Sequence, residues 1–472
     1  MNARHKTRQL SRRGFLAVGG LLGAGLALEC AVAGAGEPAR KTGPRPNIIL
    51  LVTDDQRWDC LRCAGNEIIV TPNLDRLAQH GVLFVNNFCT SSICMTSRAS
   101  ILTGQYMRRH GIKTFRQPLS PAQLRQTYPL LLRRAGYRVG FIGKWGVGNV
   151  LPEKEFDYFK GFPGQGRYFH TIDGKQVHLT SIIAEQALEF LRREDDRPFC
   201  LSVSFKAPHV QDGDPRQFLY DPKFEQLYAN VHIPVPKTAR PEYFEQLPQF
   251  IKESEGRRRW RIRFSTPEKY QQSVKGYYRL ITGVDDAVGQ MLGALDEVGK
   301  LDNTVILFTS DNGFFLGEHG LAGKWLMYEE SIRTPLIICD PRLPNSLRGR
   351  RRTEMTLNVD LAPTILELAG VPVPDAMQGK SLLPLLRDAS NAWREEWFYE
   401  YEFSPERIPT CEGVRTKRWK YIRYTDFDPP YEELFDLQND PGETENLIKS
   451  AQHKDILEYL RGRWAHYRTE LQ

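Results

Sequence analysis

The sequence has no apolar run of membrane-spanning length, few cysteines, and no repeats or low-complexity tracts, and each absence removes a class of protein. The apolar N-terminal stretch from Leu16 to Leu28 covers about 13 residues, whereas a helix crossing a bilayer core of roughly 30 Å needs about 20. Eight cysteines in 472 residues exclude a small disulfide scaffold. A hydrophobic content of 41 % excludes a disordered chain, and the length suits two or three ordinary domains. A second C-x-x-C is also missing. Cys60 and Cys63 stand alone, which leaves a disulfide, half of a zinc site or, the preferred reading, two small core residues. A large surplus of either charge is absent too: 64 Lys and Arg face 57 Asp and Glu, a net +7.

Much of that surplus lies in the first 33 residues, where Arg4, Lys6, Arg8, Arg12 and Arg13 are opposed only by Glu29. The segment Ser11-Arg12-Arg13-Gly14-Phe15-Leu16 carries the adjacent arginines of a twin-arginine export signal, and Ala31-Val32-Ala33 offers the small residues a signal peptidase needs. Residues 1–33 are therefore expected to be a removable signal and the protein to be exported, periplasmic or secreted. Glu29 before Cys30 makes a poor lipidation site, so no stable membrane anchor is expected. Without the signal the chain keeps about +3, ordinary for a globular enzyme. It also keeps seven cysteines, an odd number, so at least one should be free, reactive or modified.

Asn47 to Thr53 and Thr304 to Ser310 are continuous apolar runs of strand length, as suits strands buried on both faces. Further strands are predicted at Arg138 to Ile142, Phe199 to Phe205 and Leu336 to Cys339. Helices are predicted at Asn73 to His80, Leu124 to Ala135, Ile182 to Arg192, Gln272 to Val298 and Leu361 to Leu368. Such alternation predicts an α/β domain around a large, mostly parallel sheet flanked by helices, spanning 34–390. From about Glu395 aromatic strands follow one another at Trp397 to Phe403, Cys411 to Arg415, Trp419 to Tyr424 and Glu433 to Leu437. They predict a small antiparallel sheet in a C-terminal α+β subdomain, 391–472. The stretch from about 210 to 266 has little periodicity and reads as a long insertion over the mouth of the main domain.

Both strong strands run into polar residues, the first into Asp54-Asp55-Gln56 and the second into Asp311-Asn312-Gly313. Ligand sites in open α/β sheets lie beyond the carboxyl ends of the strands, so the two clusters are placed to meet. Three carboxylates and an amide form an all-oxygen set, which favours a hard divalent cation, Ca²⁺ before Mg²⁺, over zinc.

The segment Ser92-Ile93-Cys94-Met95-Thr96-Ser97-Arg98-Ala99-Ser100-Ile101-Leu102-Thr103-Gly104 resembles the signature of the formylglycine-dependent sulfatases of the alkaline phosphatase superfamily. Gly143-Lys144-Trp145, Ala207-Pro208-His209, Ser310-Asp311-Asn312-Gly313, Gly323-Lys324-Trp325 and Asn439-Asp440-Pro441-Gly442-Glu443 extend the resemblance, in order, over nearly all of the mature chain. It implies an alkaline-phosphatase-like fold and sulfate ester hydrolysis. It also implies oxidation of Cys94 to formylglycine by a formylglycine-generating or sulfatase-maturing enzyme, the hydrated aldehyde then serving as nucleophile. By resemblance Asp54, Asp55, Asp311 and Asn312 hold one Ca²⁺ that the modified Cys94 touches. Arg98 would stabilise the nucleophile, Lys144 and Lys324 would hold the sulfate oxygens, and His209 would sit by the departing oxygen. One hydroxyl of the hydrate takes the sulfuryl group, and loss of the other's proton expels sulfate.

Two positions depart from the family pattern. Thr96 stands where Pro, Ala or Ser is usual, and Gly146 replaces the histidine of G-K-W-H. The elimination base is thus unassigned, with His110 and His319 the motif-linked candidates. The basic runs Arg257 to Arg263 and Arg348 to Arg352 read as solvated faces, the first alternatively as an attractor for a polysulfated chain. No nucleic-acid partner is expected, since nothing resembles a reading module. The reading is a sulfatase acting on a sulfated polysaccharide or glycosaminoglycan. The alternatives are a phosphonate monoester or phosphodiester hydrolase of the same superfamily and a catalytically impaired glycan-binding protein.

Overall fold

The computed structural model describes residues 45–389 and 392–472, and the signal segment 1–33 lies outside them. Among the described residues no helix is long and apolar enough to cross a membrane. The strands β1 (Asn47–Asp54), β2 (Val82–Phe88), β3 (Arg138–Lys144), β4 (Tyr158–Phe162), β5 (Phe199–Pro208), β6 (Thr304–Ser310), β7 (Arg333–Cys339) and β8 (Arg350–Arg352) form one sheet in the order β8-β2-β7-β6-β1-β5-β3-β4. A short β9 (Thr356–Leu357) pairs with β2. β1 lies at the centre, parallel to both β5 and β6, and every residue from Asn47 to Asp54 is buried. This is why its sequence reads as an unbroken apolar run. β7 is the exception to the parallel arrangement, running antiparallel to β6 and to β2.

Helices cover both faces. The longest, Pro267–Glu297, packs against the Leu179–Arg192 helix, and the apolar residues of the sheet divide between two large core clusters. The helix expected over 124–135 is broken into Pro121–Arg125 and Tyr128–Arg134. Pro129 has no amide to continue the first helix, so Thr127 turns extended and a new helix starts with the proline in its first turn. Four strands, β10 (Glu396–Tyr401), β11 (Cys411–Thr416), β12 (Trp419–Tyr424) and β13 (Tyr431–Asp436), form an antiparallel sheet backed by the Lys454–Glu470 helix.

The two basic runs are not freely solvated. Arg257–Arg263 lies in the helix Glu255–Arg263, where Arg257 stacks between Phe244 and Trp260 at 3.8 and 3.9 Å and Arg263 is only 1 % exposed. Arg258 and Arg259 close on Glu255 one turn earlier. In the second run Arg350 and Arg352 pair with Asp388, and Arg351 donates to the Cys63 carbonyl. In each run the helix or strand turns several guanidinium groups onto carboxylates, rings or carbonyls that the composition does not reveal. Every described cysteine is a free thiol; Cys60 is buried, whereas Cys63 is only half-buried at the edge of the core, so the core reading holds for the first of the pair alone.

Candidate active site

Asp54 ends β1, Asp311 and Asn312 follow β6 beside it, Lys144 ends β3 and His209 follows β5. Parallel pairing of these strands brings four chain segments to one edge of the sheet. Cys94 enters from outside the sheet as the first residue of the helix Cys94–Thr103, with Arg98 one turn on. A helix N-terminus presents unpaired amides and a positive dipole end, an environment that favours an anion at position 94.

Asp54 is fully buried and Asp55 nearly so, at 0 and 2 % exposure, with cations packed onto them. Lys144 Nζ bonds Asp54 Oδ2, and Lys324 Nζ bonds Asp55 Oδ1 and lies 3.7 Å from Asp54 Oδ1. Arg98 donates from Nε to Asp311 Oδ2 at 2.9 Å, and its Nη2 lies 3.6 Å from Asp54. Asn312 Nδ2 donates to Asp55 Oδ1 at 2.6 Å. Asp55 adopts φ 69°, a left-handed conformation costly for a non-glycine residue. Its carbonyl accepts from Tyr277 Oη and its amide donates to Asp311, which hold it there.

Burial alone would raise the Asp54 carboxyl, but the charges of Lys144, Lys324 and Arg98 hold it well below the usual range. Burial and the Asp54 charge raise Asp311 to about 6 despite Arg98. Burial opposes the charge of Lys324, yet Asp55 and the carboxylates behind it push its ammonium upward. His209 is driven well below its ordinary value by burial, so it is neutral. Its Nδ1 donates to the Val210 carbonyl at 2.8 Å, leaving the Nε2 lone pair 3.6 Å from Asp55 Oδ2.

Two oxygens in this cluster, Asp54 Oδ1 and Asn312 Oδ1, are buried without a hydrogen-bond partner. Buried oxygens are rarely left so, and two facing one cluster of carboxylates fit a hard cation. Ligand atoms of Asp54, Asp55 and His209 lie within 4.8 Å of one another. Asp311 contributes differently, since its two oxygens accept from the Asp55 amide and from Arg98.

Asp55, Cys94, His209 and Lys324 line a cavity of about 290 Å³, while Asp54, Arg98, Lys144, Asp311 and Asn312 stand behind its floor. Phe115, Phe314, Trp325 and Phe403 supply aromatic walls, and Asp212, Glu255, Arg259 and Arg407 line the same cavity. Neither proton-transfer candidate is brought there. His110 accepts from the Ile112 amide through Nδ1 and meets Ser100 Oγ through Nε2, and burial lowers it to about 3. His319 is buried against the Tyr328 ring.

Gly146 has φ 74°, and a Cβ on it would come within 2.4 Å of Arg98 Cδ. A histidine at this position is therefore incompatible with the path of Arg98. The group that does occupy the neighbourhood is Gln165, whose Oε1 accepts from Lys144 Nζ at 2.6 Å while Nε2 points at Cys94 Sγ, 3.8 Å away. Sequence reasoning missed Gln165 because it sits in a connection after β4 with no motif around it. Thr96, the other departure, donates to the Ile112 carbonyl at 3.0 Å and is fully buried.

A mostly parallel α/β sheet thus gathers carboxylates, lysines and a helix-borne residue at its carboxyl edge, an arrangement suited to holding an anionic ester beside a cation. Residues 46–371 match the Sulfatase family model, and residues 317–470 match that of N-sulphoglucosamine sulphohydrolase, C-terminal. The chain belongs to the sulfatase family and is a sulfuric ester hydrolase. It is 31 % identical to an N-acetylglucosamine-6-O-sulfatase of Bacteroides thetaiotaomicron over 91 % of this chain and 88 % of that one. BT4656, solved in complex with its substrate D-glucosamine-2-N,6-O-disulfate, is 30 % identical with a TM-score of 0.77, covering 90 % of this chain and 98 % of that one. A phosphonate monoester hydrolase from Silicibacter pomeroyi shares the fold, with a TM-score of 0.78, at 23 % identity and with coverage of 90 and 96 %.

Proposed function

We propose that this enzyme hydrolyses sulfate esters on a sulfated carbohydrate, with a glucosamine residue as the unit presented to Cys94. The observation that carries the reading is the meeting of Cys94, at a helix N-terminus, with Asp55 and Lys324 in one cavity, and the bonding of Asp55 to Asn312 and of Lys324 to Asp55 and to Asp54 behind its floor. The 6-O-sulfatase relative and the disulfated glucosamine bound by BT4656 support the sugar. Oxidised to formylglycine by its maturing enzyme, position 94 would supply a hydrated aldehyde as nucleophile. A Ca²⁺ held by Asp54, Asp55, Asp311 and Asn312 would draw charge from the sulfuryl oxygens.

The remaining work falls to the chain's own side chains. Lys144 and Lys324 bind the sulfate oxygens, Lys324 from within the cavity. Gln165 fixes the direction of Lys144 and offers Nε2 to the group at position 94. Arg98, tied to Asp311, keeps positive charge behind the nucleophile. His209, held by its Nδ1 bond to the Val210 carbonyl, lines the cavity and sits by the departing oxygen, to which it passes a proton once it has gained one. The twin-arginine segment supports export of the protein already folded, so that Cys94 is modified beforehand.

The test is expression with a formylglycine-generating enzyme, mass spectrometry of the Cys94 peptide, and rates on glucosamine 6-sulfate, an aryl sulfate and an aryl phosphodiester. Aldehyde at position 94 with preference for the sulfated sugar is expected. Unmodified thiol would favour the glycan-binding reading, and preference for the phosphodiester would favour the second hydrolase.

A separate expectation concerns Gly146. Gly146→His would not restore a missing catalytic group: displacing Arg98 should lower kcat by about 10- to 100-fold. Crowding in this buried setting should also cost about 1–3 kcal/mol of stability. Rate and melting temperature measured together check this, and a faster variant would refute it.

A further inference from the structure

The cavity continues past its arginine rim. Asp212, Arg259 and Arg407 line it and also line a second groove of about 540 Å³, into which Arg258 and Arg263 project as further walls. At this junction four guanidinium groups meet two carboxylates. Glu255 receives Arg258, Arg259 and Arg407 at 2.5 to 2.7 Å, and Asp212 receives Arg259 at 2.9 Å with Arg263 at 3.7 Å. Asp214, also in the groove, is matched by Arg216. Within this group the guanidinium groups outnumber the carboxylates by two, with Glu406 acting on Arg407 and Asp55 on Arg263 from outside it.

Arg263 is where the imbalance is sharpest. It is buried, its Nε donates to Gln217 at 2.9 Å, and its Nη1 has no hydrogen-bond partner. Burial, with Arg259 beside it, lowers it to about 9. A buried cation lacking full counter-charge is costly, and an anion brought close recovers part of that cost. Arg407, with 52 % of its side chain exposed, and Arg259, with 19 %, have the forks to contact such an anion.

We propose that Arg259 and Arg407, backed by the buried charge of Arg263, form a second anion subsite that takes a sulfate or carboxylate on the sugar adjoining the one at Cys94. The inference rests on the sulfated-carbohydrate reading and deepens it. The enzyme then reads a charged neighbour as well as the ester it cleaves, and the groove carries the rest of an oligosaccharide. The contacts to Glu255 and Asp212 hold the guanidinium groups in place beforehand, which reduces the ordering cost of binding.

The experiment uses Cys94→Ala protein, which binds without turnover, titrated calorimetrically with glucosamine 6-sulfate and with a heparin-derived tetrasaccharide. Arg407→Gln, and separately Arg259→Gln, should cost the tetrasaccharide at least about five times more affinity than the monosaccharide. Melting curves verify that both variants fold. Equal losses on the two ligands, no loss on the tetrasaccharide, or failure of the parent protein to bind the tetrasaccharide would overturn the subsite. A carboxyl-reduced tetrasaccharide separates the anions: a loss that persists assigns a sulfate, and one that disappears assigns a carboxylate. Sulfate release from glucosamine 6-sulfate by the intact enzyme is scored independently. No release with the binding contrast intact would remove the proposed function and leave the subsite standing.

Discussion

Cys94→Ala is expected to reduce kcat on a sulfated sugar by at least about 10⁴-fold, because a nucleophile removed leaves only binding and electrostatic contributions. Binding should survive. Among the described residues the side chain's one polar contact is with Gln165 at 3.8 Å, so loss of its sulfur breaks little hydrogen bonding. Lys144, Lys324 and Arg98 keep their carboxylate partners in the variant and still present a cationic floor. The expected pattern is therefore a melting temperature within about 2 °C of the parent, retained affinity and near-zero turnover. Substantial turnover would mean that the attacking group comes from elsewhere in the cavity.

The second large effect concerns the carboxylate at the end of β1. Asp54→Asn is expected to lower kcat about 10³-fold and to abolish the response of the protein to Ca²⁺. In the parent enzyme, chelation should lower the melting temperature and Ca²⁺ should restore it better than Mg²⁺. A cation at 100 times its dissociation constant adds about 2.7 kcal/mol to the native state when it binds that state alone. In the variant this shift should vanish, since the unpartnered Asp54 Oδ1 that faces the site becomes one end of a neutral amide. Stability should also fall by about 3–5 kcal/mol, because Lys144, Lys324 and Arg98 lose a buried counter-charge. The Ca²⁺ dependence of melting separates the two effects. A variant that melts lower but still shifts with Ca²⁺ would place the cation elsewhere.

Recognition from sequence worked best where a residue's role is set by its immediate neighbours along the chain. β1 and β6 are unbroken apolar runs because they are buried on both faces, and their terminal acids follow directly. The Cys94 segment keeps its spacing because one helical turn sets Cys94 against Arg98. The same logic failed at Leu124 to Ala135, where the hydrophobic period continues through a proline that interrupts the hydrogen bonding. It failed again for the arginines from 257 to 263, whose like charges suggest a solvated face although Glu255, Phe244 and Trp260 take up several of them.

The sequence by itself determined the sheet, its central strands, the acidic ends of β1 and β6 and the chemical type at positions 94, 98, 144, 209 and 324. Hydrophobic period encodes the strands and places the acids at their ends, whereas the residues at 94, 98, 144, 209 and 324 are singled out by short motifs that resemble a family signature. Only the tertiary structure decided that Gln165 stands between Lys144 and Cys94, that Gly146 makes room for Arg98, and that Arg407 meets Glu255 from 152 residues away. These meetings are made by connections crossing the sheet's edge, where polar side chains follow no period. Which of them touch depends on how separately formed segments pack, and that information resides in the packed whole rather than in any one stretch of chain.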